Sequence, residues 1–195
     1  MHGLMNRAIQ SFVTDTYGLE TWLEISQRAE LDFVEFEAML VYADDVTPRV
    51  LDAAAAHLNR PRFEMMEDIG TYLVSHPTVE ALRRLLRFGG VTFVEFLHSL
   101  DDLPDRARLA VDDLNLPRIE LREHSATRLS LVCECPIAGY GHVMMGILRA
   151  MADDYGALVL LDHEGGGQGI ETISISLIET EFAEGREFTL GARTG

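Results

Sequence analysis

Apolar residues recur at helical spacing through residues 4–14, where Leu4, Met5, Ala8, Ile9, Phe12 and Val13 share a face, and Tyr17-Gly18 supplies a C-terminal stop. A second short helix is predicted over 20–29, with Trp22 and Ile25 inward. The stretch DFVEFEAMLV, residues 32–41, reads as a third helix, with a strand as the alternative. Residues 44–48 read as a turn, and the alanine-rich stretch 49–58 is helical until Asn59-Arg60-Pro61 stops it.

Residues 62–75 place Phe63, Met66, Ile69, Gly70 and Leu73 on one face before His76-Pro77 breaks the chain. Another amphipathic helix spans 79–88 and closes at Gly89-Gly90. From 91 to 103 the residues Phe93, Phe96, Leu97 and Leu100 again keep helical spacing, but Pro104 follows within the same rhythm. A proline costs about 3 kcal/mol inside a helix and is tolerated in a first turn. With Asp101 and Asp102 before it, the pattern predicts one helix ending near Leu100 and another starting around Leu103.

After Leu116-Pro117 the rhythm changes. Residues 118–122 and 128–135 alternate as strands do, 141–155 carry Val143, Met144, Ile147, Leu148 and Met151 along one helical face, and Gly156 ends that helix. Two further strands, 157–163 and 170–178, flank the loop EGGGQG. Helices followed by two strands, a helix and two strands define an α+β fold with a small antiparallel sheet. The last residues, GREFTLGARTG, read as a short edge strand or a loose tail.

The 195 residues suffice for one substantial domain, or for two small subdomains sharing a core. A net charge of -16, spread along the chain, reads as an acidic solvated surface that repels phosphate, which argues against nucleic acid and anionic membranes as partners. No apolar run approaches the length of a membrane span, and polar residues interrupt the N-terminus before a signal-peptide core forms, so a cytoplasmic protein is expected. Cys133 and Cys135, one residue apart, are expected to be reduced thiols.

The opening MHGLMNRAIQSFVTDTYGLETW, with Met1, Gly3, Asn6, Tyr17, Gly18 and Trp22 at their spacing, resembles the start of the heme nitric-oxide/oxygen-binding (H-NOX) family, the sensor domain also found in soluble guanylate cyclases. The resemblance continues through DAAAAHLN, FLHSLDDL, LPRIEL and VMMGIL and covers residues 1–161. It implies a single domain over 1–195, with a helical N-terminal subdomain at 1–60 and a C-terminal subdomain at 61–195 whose sheet begins after about residue 117. It also implies heme between the subdomains, a proximal histidine on iron, a Tyr-x-Ser-x-Arg motif on the propionates, and signalling to a cyclase, kinase or cyclic-dinucleotide enzyme.

The chain departs from that pattern at the chemistry. In ungapped register Pro104 falls at the proximal-ligand position, and no Tyr-x-Ser-x-Arg occurs where Cys133, Cys135 and Ile137 stand. His98 lies six residues earlier, about 240° around a helix from the proximal direction after one full turn, and would ligate iron only in a rebuilt helix. His142, beside Gly139, Tyr140 and Gly141, is a candidate substitute ligand facing the heme cavity, or an ordinary helix-start residue. Cys133 and Cys135 point to one face of a strand and are candidate thiolate ligands, half of a zinc site, redox sensors or buried structural thiols. His2, His57, His76, His124 and His163 read as surface residues, the methionines as core, and no arrangement supports an enzyme.

Two readings follow. One is an H-NOX-type signalling domain with a degenerate heme site, heme-free or unusually ligated, that takes a tetrapyrrole or another apolar ligand and works through a partner protein. The other is a heme-binding nitric-oxide sensor using a substitute ligand such as His142.

Overall fold

The computed structural model describes residues 3–77, 80–110 and 116–178. Among these residues seven helices precede the sheet: α1 (Gly3–Tyr17), α2 (Leu19–Arg28), α3 (Val46–Leu58), α4 (Arg62–Ser75), α5 (Glu80–Arg87), α6 (Phe93–His98) and α7 (Leu103–Ala110). Then come β1 (Arg118–Ser125), β2 (Arg128–Glu134), α8 (Tyr140–Tyr155), β3 (Val159–Gly167) and β4 (Ile170–Leu177). The four strands form one antiparallel sheet in the order β1-β2-β4-β3, so α8 is the connection that carries the chain from β2 across to the far edge. The α+β expectation holds, and the segment GREFTLGARTG lies outside the described residues.

The layers meet at α8. One face of the sheet buries Ile119, Leu129, Leu131, Cys133, Ile173 and Ile175, against which α8 sets Met144, Leu148 and Met151. The other side of α8 receives α4, and the two helices meet at glycines. A Cβ on Gly70 would lie 2.0 Å from the Val143 carbonyl oxygen, and one on Gly146 would lie 2.0 Å from that of Glu67. Only hydrogen side chains allow these backbones to approach so closely.

Pro104 sits in the first turn of α7, where its missing N–H removes no helical bond. The helix before it ends at His98, and a turn through Asp101 and Asp102 separates the two. Thr92 starts α6 with a capping box: its hydroxyl accepts the Glu95 N–H while the Glu95 carboxylate accepts that of Thr92. Helix α3 begins at Val46, three residues before the predicted start, with Pro48 inside its first turn.

Residues 32–41 form no helix and no extended strand, which corrects the helical expectation. Tertiary partners hold this backbone. The Val34 carbonyl accepts the Trp22 indole N–H at 2.7 Å, the Phe36 N–H donates to Gln10 Oε1 at 2.9 Å, and that of Glu37 donates to the Tyr42 hydroxyl at 2.8 Å. Phe33, Phe36 and Tyr42 pack on one another, and Phe36 on Trp22, in edge-on or tilted contacts, so the apolar spacing builds an aromatic cluster and not a helical stripe.

The glycine-rich stretch is likewise mostly strand. β3 runs to Gly167 through an irregularity between His163 and Gly165, and Gln168-Gly169, both at positive φ (57° and 80°), make the two-residue hairpin turn. A Cβ on Gly166 would meet the Ile170 carbonyl oxygen at 1.8 Å, so glycine there lets the paired strands close up.

Candidate functional site

A cavity of about 360 Å³ lies between the N-terminal helices and α8. Helix α1 contributes Leu4, Met5, Ala8 and Ile9; α3 contributes Thr47 and Leu51; α4 contributes Met66, Ile69 and Leu73; α5 contributes Leu85 and Leu86. Leu103 and Ala107, one turn apart on α7, form another wall with Leu116, and Ile137, Tyr140, Val143, Met144 and Ile147 complete it. Among the described residues the lining holds no histidine, cysteine or charged side chain.

Two lining residues carry polar side-chain atoms besides thioether sulfur. The Thr47 hydroxyl donates to Asn6 Oδ1 at 2.6 Å. The Tyr140 hydroxyl has no hydrogen-bond partner among the described residues, and burial, reinforced by Cys135 and Cys133, pushes its pKa far above the ordinary phenol value. It therefore stays a protonated donor.

Pro104, which the sequence resemblance sets at the proximal-ligand position, is not part of the lining; Leu103 and Ala107 present the cavity face of α7. His98 points elsewhere: it is half-exposed, with Nε2 2.7 Å from Glu123 Oε1 on β1. Ile137 does line the cavity, while Cys133 and Cys135 lie behind it, buried against α8 as free cysteines. Burial, together with the Glu171 charge, pushes Cys133 to about 12. Cys135 stands at about 11, where burial outweighs a hydrogen bond from the Ile137 backbone. Thiols this hard to ionise are poor nucleophiles and poor metal ligands.

His142 is drawn into a cluster next to the cavity. Its ring stacks on His163 with centroids 4.2 Å apart and planes 22° apart, and Phe63 packs on it with the centroid 5.4 Å away. His142 Nδ1 is buried without a partner among the described residues. Burial first, and then the neighbouring His163, lower its pKa.

Glu171 organises this cluster. Its Oε1 accepts the Gly139 N–H at 2.5 Å, and its Oε2 accepts that of Gly141 at 2.8 Å and meets His163 Nε2 at 2.9 Å. Burial would raise its pKa, but the hydrogen bonds from His163 and from the Gly139 and Gly141 N–H groups outweigh it and hold the carboxylate below its ordinary value. The free N–H groups that begin α8, with Gly139 in the left-handed region, form an anion-binding end, and this chain fills it with its own carboxylate.

His163, expected at the surface, is thus a largely buried member of this group, with a side chain 18% exposed. Neither it nor Glu171 stood out in the sequence. They meet because β3 and β4 form one hairpin, in which His163 pairs with Ile173 and Gly166 with Glu171.

A family model described as Haem-NO-binding matches residues 2–163, and the chain belongs to this family. Among curated proteins it is similar to the soluble guanylate cyclase gcy-31 of Caenorhabditis elegans, 25% identical over 79% of this chain and 22% of that protein. It is also similar to the soluble guanylate cyclase 89Db of Drosophila melanogaster, 20% identical over 80% of this chain and 23% of that protein. The chain thus spans under a quarter of the length of these relatives.

Among solved structures, an unliganded Fe(II) H-NOX protein from K. algicida matches with a TM-score of 0.80 and 17% identity over 93% of this chain and 98% of that one. A mutant H-NOX protein from S. oneidensis in the Fe(II) ligation state gives 0.77 and 17%, over 92% and 97%. The fold is that of H-NOX sensor domains. Among the described residues no helix is long and apolar enough to cross a membrane.

Proposed function

We propose that this H-NOX domain is a sensor whose cavity takes an apolar ligand in place of ligated heme, and that it acts through a partner protein. The observation that carries this reading is the donor set of the cavity: thioethers, one phenol and one spent hydroxyl. Heme iron in proteins is held by histidine, thiolate, tyrosinate or a methionine working with histidine. Here no histidine or cysteine lines the cavity among the described residues, and Tyr140 is held in its phenol form, so the residues present do not fit heme.

Size supports the same reading. A cavity of about 150 Å³ takes one benzene, roughly 25 Å³ per carbon. At that rate 360 Å³ holds about 14 non-hydrogen atoms. Heme has about three times as many.

The propionate end agrees as well. The α8 N-terminus that a carboxylate ligand would use is occupied by Glu171, whose own charge repels a second anion. The reading in which His142 ligates iron finds no support, because His142 is outside the lining and held between Phe63 and His163.

By family, the partner is a cyclase, a kinase or a cyclic-dinucleotide enzyme, fused or separate. The test is the iron content and visible spectrum of protein purified from heme-replete cells. We expect no Soret band and no stoichiometric iron; near-stoichiometric iron overturns the reading.

A further inference from the structure

We infer that the cavity selects neutral ligands, apolar molecules of about 14 non-hydrogen atoms carrying a single hydrogen-bonding oxygen, and rejects fatty acids and other anions. This rests on the reading of the cavity as a ligand site and names its ligand class.

Tyr140 is the one lining side chain with an uncommitted hydrogen-bonding group: its hydroxyl is protonated and has no partner among the described residues. An alcohol, aldehyde or ketone oxygen placed against it gains a hydrogen bond from a hydroxyl that no protein group occupies among the described residues. A carboxylate could accept the same phenol hydrogen bond but finds no counter-charge. The described lining offers no lysine, arginine or histidine, and burying an ion without a partner is far costlier than burying a hydroxyl.

The nearest backbone donors cannot substitute. The N–H groups of Gly139 and Gly141, on either side of Tyr140, are both held by Glu171. An incoming carboxylate would have to displace that carboxylate and strand it beside His163 and the buried cysteines. The anion-binding capacity of the α8 N-terminus is spent within the chain, and the end of the cavity nearest it is left with a phenol.

The experiment uses the full chain at pH 8 and the neutral fluorophore 1-aminoanthracene, a molecule of about the size the cavity holds, displaced in turn by 1-decanol, decanoate and decane. Decanol should displace the fluorophore at least tenfold more strongly than decanoate. Tyr140→Phe should weaken decanol about two- to tenfold while leaving decane unchanged, the range expected for one neutral hydrogen bond. Decanoate matching or exceeding decanol, or a Tyr140→Phe variant with unaltered decanol displacement, overturns the inference. A separate variant, Ala107→Phe, narrows the cavity and should abolish fluorophore binding. If the chain never binds the fluorophore, or binds it equally well in Ala107→Phe, the reading of the cavity as a ligand site fails instead.

Discussion

Glu171 on β4 accepts the backbone N–H of Gly141 at 2.8 Å, so the first turn of α8 is capped by a side chain thirty residues further along the chain. That carboxylate also holds Gly139 and His163. Replacing it by Gln removes the charge and sets an NH₂ group where an acceptor is needed. Hydrogen bonds to a charged group contribute about 1.5–3 kcal/mol, so Glu171→Gln should lose stability in that range by urea unfolding.

Acid should destabilise the domain in two steps. The folded state keeps His142 below its ordinary value of 6.5, whereas the unfolded chain protonates it near that value. This contribution is complete above pH 6.5 and is lost as the pH falls through the folded-state value. Glu171, also lowered, keeps its contribution above 4.5 and loses it only below that. The groups facing His142 are His163, Glu171 and Phe63. His142→Phe, which preserves the ring stack, should flatten the stability loss that sets in as the pH falls below about 6.5 and leave the later one, as read by urea midpoints across pH.

The crossing of α4 and α8 should tolerate no side chain. Gly146→Ala places a Cβ against the Glu67 carbonyl, and neither helix can yield without disturbing the sheet beneath α8. Overpacking of this kind costs about 1–3 kcal/mol or more, and a Tm lower by about 2–4 °C for each kcal/mol should report it.

Cys133 and Cys135, raised to about 12 and about 11, should resist thiol reagents in the folded protein. At pH 8 their alkylation should be at least a hundredfold slower than in urea. A fast-reacting thiol in the native state would contradict their placement as structural residues.

The helical half was legible because most of its apolar periods correspond to buried stripes, and Pro104 marked a helix start through its own geometry. Residues 32–41 misled because Phe33 and Phe36 have helical spacing yet are fixed by Trp22, Gln10 and Tyr42, partners that a local pattern does not contain. The site divided in the same way. His142 was visible beside its glycines, but its ring is turned from the cavity by His163 and Phe63, and Glu171 looked like one acidic residue among many until strand pairing set Cys133 opposite it. Periodicity places residues on faces; the hairpin that brings β4 to the start of α8 is a tertiary fact.

On the proposed reading, this H-NOX cavity does not ligate heme. This is tested most directly by titrating the purified full chain with hemin, under oxidising and reducing conditions, and desalting the mixture. The expected result is a spectrum equal to that of free hemin and no iron retained by the protein. A saturable one-to-one complex with a shifted Soret band that survives desalting would contradict it.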